Sequence, residues 1–501
     1  MKEKIKNLFT RNINLRQTIF KNTFWLGFGT ALSKIIRAVT VIYAARILGV
    51  SGYGIFSYAL GVATFFTIFS DIGLSPLFVR ELSAVKSEKE RGRLESNNYE
   101  QREYFSNIFL LKIILLLITI LMVVFIAPLF TTINEARALL PIAALLLAAD
   151  SLRGFMVSFS RSENRMEIEA LITILTEVFI TGLSLFVLFK FPSDKNLLIA
   201  YSTGSAIGML ISVWIFREQL KKYLVKLRGF NHKILMRIFS FSWPFAILGL
   251  FSPFMLNIDI IIVSWFRPVS DLGFYAAAQK PILLLYGIPG FLATSVFPII
   301  VNLIKKNESQ KLKVLLEKSI QATMVIATPM LIGGIILAEE IIILLFGNQY
   351  IGATLAFQLL LFTFIFVFPG SIIEDVIFAF NQQRIFLISI IGGSLINVVF
   401  DLLLIPPYGI AGSAVATILS LLFSKGYSYY RFKKIINFQI LNQLNKIIFA
   451  SLIMGITTLI LASLNINVLV NIGISGLVYA AVLFLLKEPL LKEFKSIFQM
   501  S

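Results

Sequence analysis

The chain has 501 residues, 57% of them hydrophobic and 14% charged, whereas soluble domains carry roughly 25% charged residues. This composition excludes a soluble globule and predicts a protein dissolved in a lipid bilayer. The chain has no cysteine, which excludes disulfides and thiolate metal sites, and its single histidine, His232, lies in a basic loop. We therefore expect no cofactor, no metal site and no histidine chemistry within the membrane.

Fourteen apolar runs are each long enough to cross a bilayer as a helix, which takes roughly 20 residues. Helices are expected because backbone polar groups in lipid must be hydrogen-bonded within their own segment. The sequence thus predicts an all-α integral membrane protein. The runs lie near residues 24–48, 53–79, 105–128, 138–159, 168–190, 197–216, 238–265, 273–301, 319–338, 352–378, 385–405, 410–430, 447–463 and 466–486.

Basic residues concentrate in alternate connections between these runs. If residue 1 lies in the cytoplasm, the connections near 80–102, 217–237 and 305–313 are cytoplasmic and basic, whereas the outer loops hold few basic residues. This distribution follows the positive-inside rule, which also explains the net charge of +18 without nucleic acid. We expect a multi-pass cell-membrane protein with both termini in the cytoplasm and no nucleic-acid partner.

A short motif occurs twice, as VSGYGIFSYA at 50–59 and as VSDLGFYAAA at 269–278. The copies are offset by 219 residues, and Arg165 and Arg384 share that offset. Six predicted helices precede the basic connection at 217–237 and six follow it, so both halves have the same orientation. This predicts two six-helix lobes related by a pseudo-two-fold axis, followed by an additional helix pair. The predicted domains are residues 1–225, 226–437 and 438–501.

Four stretches resemble a known family. They are AARILGVSGYG (44–54), DIGLSPLFVREL (71–82), DIIIVSWFRPVSDLGFYAAAQK (259–280) and INVVFDLLLIPPYGIAGSAVATILS (396–420). Together they resemble the polysaccharide-biosynthesis branch, with its Wzx-type O-antigen flippases, of the multidrug/oligosaccharidyl-lipid/polysaccharide flippase superfamily. The resemblance implies a two-lobed bundle that moves polyprenyl-linked oligosaccharides across the membrane by alternating access, and it implies no catalytic residues.

Three cations lie deep within predicted helices, where an ionisable side chain is costly and indicates a functional site. Lys34 and Arg37, three residues apart near the middle of the first run, share one helix face. They suit a diphosphate, because Arg binds phosphate bidentately and Lys adds a second charge. Pairing with Asp150 or Glu177 is the alternative. Lys280 lies about 12 Å into its run; the resemblance implies a cavity cation here, and extension toward the outer surface is the alternative.

Two carboxylates are candidates for an ion-coupling or cavity acid. Asp259 lies in the seventh run, where it would bind a proton or a sodium ion, accept a sugar hydroxyl, or neutralise Lys280. Glu374 and Asp375 are adjacent, so they point in different directions and only one of them is expected to face the cavity.

Asp71 and Arg80 belong to the family-like stretches at helix ends, and they are candidates for a gate. They are nine residues apart, too far for a pair on one helix turn, so we expect a partner for Asp71 on another helix. Simple anchoring at the membrane surface is the alternative.

Two further acids have local explanations. Arg153 follows Asp150 by three residues, which predicts a same-helix ion pair. Asp401 follows Asn397 by four residues and lies close to the predicted outer loop, where we expect it to be solvated or hydrogen-bonded.

The last two predicted helices carry no charged residue between Lys446 and Lys487. They either line a groove for the polyprenyl chain, as the resemblance to lipid II flippases implies, or only pack on the second lobe.

The sequence favours a flippase, working as a monomer, for a lipid-linked oligosaccharide, with membrane lipids and a coupling cation (H⁺ or Na⁺) as its other partners. Within transport, a cation-coupled multidrug exporter and a lipid II flippase remain alternatives, although intramembrane cations disfavour an exporter of cationic drugs. A membrane glycosyltransferase or polymerase is the remote alternative, because the predicted outer loops carry no cluster of catalytic acids.

Overall fold

The computed structural model describes residues 15–90, 99–224, 232–439 and 444–487, and the regular structure within these ranges is helical. Packing divides the chain into two compact units, Met1–Gly273 and Phe274–Ser501. The predicted three-part division at 225/226 and 437/438 stays a prediction. The termini that we expect in the cytoplasm lie outside the described ranges.

The first unit contains eight helices and the start of a ninth. Short 3₁₀ and π turns follow α1 and α3. The helices are α1 (Leu15–Phe66), α2 (Leu74–Glu90), α3 (Tyr99–Leu121), α4 (Asn134–Ser162), α5 (Met166–Lys190), α6 (Asp194–Ile215), α7 (Arg217–Leu224), α8 (His232–Phe266) and α9 (Val269–Leu285).

The second unit continues from α9 with helices of uneven length. Its further helices are α10 (Gly287–Lys305), α11 (Ser309–Ile336), α12 (Ala338–Phe346), α13 (Thr354–Leu361), α14 (Phe364–Ala379), α15 (Gln383–Lys433), α16 (Asn445–Ser463) and α17 (Val468–Leu485).

Two glycines break the longest helices. Gly49 in α1 has φ 68° and Gly409 in α15 has φ 59°, a left-handed conformation that glycine adopts at little cost. The apolar segment Phe20–Ser70 has 51 residues, about 77 Å of helix, against a hydrocarbon core of roughly 30 Å. A continuous helix of this length would extend far beyond one bilayer.

The predicted run 53–79 is wrong as a single helix. The chain leaves α1 after Phe66, and Ile72 and Gly73 have φ values of 41° and 75° before α2 begins. The side chain of Asp71 accepts a hydrogen bond from the backbone N–H of Ser75 at 3.2 Å, which caps the first turn of α2.

The prediction of an all-helical integral membrane protein is confirmed. Among the described residues, eleven helical segments are long and apolar enough to cross a membrane. The number becomes twelve if Asn348–Leu361 and Phe364–Ala379, bent by 43°, form one span. This count treats α1 and α15 as one span each, and it differs for that reason from the predicted fourteen.

Small residues allow three helices of the first unit to pack closely. A Cβ added to Gly29 of α1 would lie 2.7 Å from the Cβ of Ala170 on α5. A Cβ on Gly204 of α6 would lie 2.7 Å from the backbone of Ile180 on α5. Close backbone approach through glycine is a common way for helices to associate in lipid. It brings the polar side chains of α1, α5 and α6 together.

Candidate functional site

Arg37 forms a bidentate ion pair with Glu177 inside the first unit. Its Nε donates to Glu177 Oε2 at 3.0 Å, and a terminal guanidinium nitrogen donates to Oε1. The two partners differ in environment, because the Arg37 side chain is 51% exposed and that of Glu177 only 5%. This is one of the two pairings that the sequence offered as an alternative to substrate binding.

Hydrogen bonds next to Arg37 hold α1 against α5. One turn after it, Thr40 and Thr181 are hydrogen-bonded at 2.8 Å, and Thr181 donates to the carbonyl of Ile36. Lys34, one turn before Arg37 on the same helix, is half-buried. Two cations therefore follow one another along α1, as the spacing predicted.

A second ion pair lies on α4. Arg153 donates to Asp150 Oδ1 at 2.9 Å, which confirms the predicted same-helix pair. Ser205 of α6 donates to the same oxygen at 2.6 Å. Arg153 Nε is buried and makes no hydrogen bond within the described residues.

α1 packs against both α4 and α5, so the two pairs lie in the same group of helices of the first unit. With Lys34, the two pairs contain three cations and two carboxylates, hence an excess of one positive charge. We call it the cationic site: Lys34, Arg37, Asp150, Arg153 and Glu177. A cationic group inside apolar helices can bind an anion and would repel a cationic ligand.

The remaining predicted cavity residues lie elsewhere. Asp259, on α8 of the first unit, is buried. Lys280 lies on α9 and is half-buried. Their predicted roles, ion coupling for Asp259 and substrate binding for Lys280, stay predictions.

Glu374 pairs with a lysine that the sequence analysis missed. Lys425 of α15 donates to Glu374 Oε1, and both side chains are largely buried. Gly370 makes room for the lysine, because a Cβ there would lie 2.9 Å from Lys425 Cδ. Lys425 is a lone cation within the predicted run 410–430, and that isolation is the signal that would have found it.

The partner of Asp71 is Lys112 of α3, another lysine that the sequence analysis missed. Lys112 Nζ donates to Asp71 Oδ1 at 2.9 Å and to Ser151 Oγ of α4 at 2.7 Å. Arg80 instead pairs with its neighbour Glu81 at 2.7 Å on the exposed side of α2. The two proposed gate residues thus have separate partners, and a gating role stays a prediction for both.

Asp401 is buried, so of the two expected environments, solvated or hydrogen-bonded, the structure excludes the solvated one. Asn397, one turn earlier on α15, is also buried, and its side-chain amide makes no hydrogen bond within the described residues. No group of three His, Asp or Glu side chains among the described residues is close enough to hold a metal ion.

The second unit encloses an apolar cavity of about 560 Å³. Its polar wall is a small hydrogen-bonded patch on α16 and α17, in which Thr458 donates to Ser475 at 2.9 Å and Tyr479 donates to the carbonyl of Val325. Leu284, Met330, Phe357, Leu361 and Met454 are among the apolar side chains that line it. We call it the apolar cavity; both C-terminal helices contribute to its wall.

Residues 19–304 match the family described as "Polysaccharide biosynthesis protein". The chain belongs to this family. The predicted resemblance is confirmed, and with it the expectation of a transporter family and not an enzyme.

Curated relatives agree with this assignment. The chain is 24% identical over 335 residues to the "Putative O-antigen transporter" of Shigella flexneri, covering 66% of this chain and 78% of the relative. It is 23% identical over 299 residues to the "Probable low-salt glycan biosynthesis flippase Agl15" of Haloferax volcanii, covering 58% and 63%.

A solved structure has the same fold. The chain superimposes on the lipid II flippase MurJ in an inward closed conformation with a TM-score of 0.74, at 19% sequence identity. The match covers 93% of this chain and 99% of MurJ.

Proposed function

We propose that this protein is a flippase that moves polyprenyl-diphosphate-linked oligosaccharides across the cell membrane by alternating access, for polysaccharide biosynthesis. The observation that carries the proposal is the cationic site. An Arg whose side chain is half exposed, a Lys one turn away and an excess of one positive charge suit the diphosphate of such a substrate.

The apolar cavity supports the other half of the proposal. A polyprenyl chain needs an apolar surface, and a cavity of about 560 Å³ is of the size that binds small ligands. Its wall includes both C-terminal helices, whose role the sequence left open between a lipid groove and simple packing. We propose the groove.

The proposed topology suits the same substrate. If α1 and α15 each cross the membrane twice, with turns at Gly49 and Gly409, and the bent pair Asn348–Leu361 and Phe364–Ala379 forms one span, the described residues contain fourteen spans. We propose fourteen spans with both termini in the cytoplasm, in a protein that works as a monomer. This topology would accept the substrate where it is made and deliver it outside.

Coupling has two candidate sources. A charge that crosses the membrane potential is worth about 2.3 kcal/mol per 100 mV, which would drive movement of an anionic head. We propose that Asp259, which is buried, is the site of a coupling proton or sodium ion, and Glu374 is the other candidate.

A lipid II flippase is the second candidate, and the fold match to MurJ favours it. Its substrate also carries a polyprenyl diphosphate, so the cationic site does not separate the two. A multidrug exporter of cationic compounds is disfavoured, because the excess positive charge of the site would repel them.

The test uses a strain that lacks its own glycan flippase and carries this gene. Arg37→Ala and Lys280→Ala are each expected to abolish glycan at the cell surface while membrane abundance is unchanged. The matched control is Arg161→Ala, since Arg161 forms the same bidentate pair, with Glu169, and is 52% exposed. Normal export by Arg37→Ala would contradict the proposed phosphate site.

A further inference from the structure

We infer that Glu177 is a displaceable counter-ion: it holds Arg37 while the site is empty, yields the guanidinium to the substrate's diphosphate, and reclaims it at release. This inference rests on the proposed function. It assigns a role to Glu177, which the sequence analysis considered only as an ion-pair partner of Lys34 or Arg37. Glu177 is a positioning residue in this account, since it acts on the substrate through Arg37.

Glu177 and a phosphate group would compete for the same hydrogen-bond donors of Arg37. Glu177 occupies both Nε and a terminal nitrogen of Arg37, which form the planar fork that a phosphate group also uses. A diphosphate that binds Arg37 through this Nε edge must therefore replace the carboxylate.

Arg37 and Glu177 differ in exposure, and this difference shows which of the two a ligand can approach. The Arg37 side chain is half exposed, so a ligand can approach it, whereas the Glu177 side chain is almost fully buried. Thr40 and Thr181 hold α1 against α5 one turn away. Arg37 is thus anchored by a carboxylate that no ligand contacts first.

Displacing Glu177 from Arg37 costs free energy, and this cost favours release of the substrate. Once Arg37 turns to the substrate, Glu177 loses its counter-ion in a buried position, which is unfavourable. This cost weakens substrate binding and favours release on the far side. In the empty protein the restored pair neutralises one charge, so the return step does not carry an uncompensated cation through the apolar interior.

The second cation favours the longer anion. A monophosphate ester would replace the carboxylate at Arg37 with one phosphate group and would not extend to Lys34. A diphosphate also reaches the field of Lys34, one turn away on α1. The site should therefore prefer diphosphate esters to monophosphate esters.

The test compares Glu177→Gln with wild-type protein in detergent, using farnesyl diphosphate and farnesyl monophosphate as probes. Removing the competing charge should tighten binding of farnesyl diphosphate about tenfold, the worth of one charge-assisted hydrogen bond. Export in the flippase-deficient strain should fall, because release is slowed.

The matched control is Glu169→Gln. Glu169 is 9% exposed and pairs bidentately with a half-exposed Arg161 beside the turn between α4 and α5, outside the cationic site. Its substitution should leave farnesyl diphosphate binding unchanged. If Glu177→Gln is not recovered in folded form, Glu177→Asp, which withdraws the carboxylate by one methylene, should tighten binding to a smaller degree.

Two results would overturn the inference: binding by Glu177→Gln that is weaker than or equal to wild type, or export that is unchanged. A purely structural role predicts weaker binding and lower export together. Failure of the proposed function has a different signature, since Arg37→Ala would then bind farnesyl diphosphate as wild type does, whatever Glu177→Gln does.

Discussion

Gly54 and Gly273 meet backbone to backbone. A Cβ on Gly54 would lie 2.7 Å from the nitrogen of Gly273 and 2.7 Å from the carbonyl oxygen of Val269, and a Cβ on Gly273 would overlap the carbonyl oxygen of Val50. The contacts are reciprocal under the 219-residue offset, which relates Val50 to Val269 and Gly54 to Gly273. Within the first unit, residues 50–54 and 269–273, the first halves of the two copies, therefore pack on each other, which supports the predicted duplication.

This contact leaves no room for a side chain. We expect Gly273→Ala to lower the stability of the first unit, because overpacking a tight contact costs about 1–3 kcal/mol. Gly182→Ala is the control, since no atom lies within 4 Å of its added Cβ and alanine favours a helix by about 1 kcal/mol. Thermal unfolding in detergent measures both. Equal melting temperatures for the two variants would contradict the contact.

The pair between Lys112 and Asp71 predicts an asymmetric response. Lys112 is 1% exposed and Asp71 is 26% exposed. Asp71→Leu strands a fully buried cation and should cost about 3–5 kcal/mol, whereas Lys112→Met leaves a carboxylate that keeps Ser75 and some solvent. The double variant should be more stable than Asp71→Leu alone. Chemical denaturation of the three proteins decides this, and a double variant as unstable as the sum of the single changes would refute the pairing.

Variants of the pair between Glu374 and Lys425 test whether Glu374 is only a counter-ion or a coupling acid. Glu374→Gln is expected to reduce export, since Lys425 is left without its partner. The exchange Glu374→Lys with Lys425→Glu restores a pair in the reverse order. If Glu374 is only a counter-ion, the exchange recovers most of the export that Glu374→Gln loses. Export that stays absent in the exchange variant would instead indicate a coupling role for this carboxylate.

Filling the apolar cavity tests its role in holding a lipid chain. Gly476 lines the cavity, and no atom lies within 4 Å of a Cβ added there. Gly476→Leu should reduce export without destabilising the protein, because the new side chain occupies space that the substrate's chain needs. Gly473→Leu is the control on the same helix, with equal room and no place in the cavity wall. Unchanged export by Gly476→Leu would show that the cavity does not bind substrate.

Sequence patterns located the helices well because lipid imposes a simple rule on length and hydropathy. The predicted boundaries near 48 and 405 lie close to the breaks at Gly49 and Gly409. The break at Ile72 and Gly73 was missed, since the run from 53 to 79 stays apolar through a turn that depends on backbone conformation.

The partners of the charged residues were harder to predict from the sequence than the positions of those residues in the helices. Lys112 and Lys425 were overlooked because one lysine barely changes the mean hydropathy of a long apolar run. Even a search for isolated charges would not have named their partners, since Lys112 and Asp71 are 41 residues apart in sequence. Arg153 and Asp150 were predicted correctly because helix geometry alone brings them together.

The most direct test of the account is translocation by the purified protein in proteoliposomes. Two labelled substrates are compared, a sugar joined to farnesyl diphosphate and the same sugar joined to farnesol without phosphate. The account predicts that wild-type protein moves only the diphosphate compound and that Arg37→Ala moves neither. Equal movement of both compounds, or full activity in Arg37→Ala, would contradict recognition of the substrate through its diphosphate.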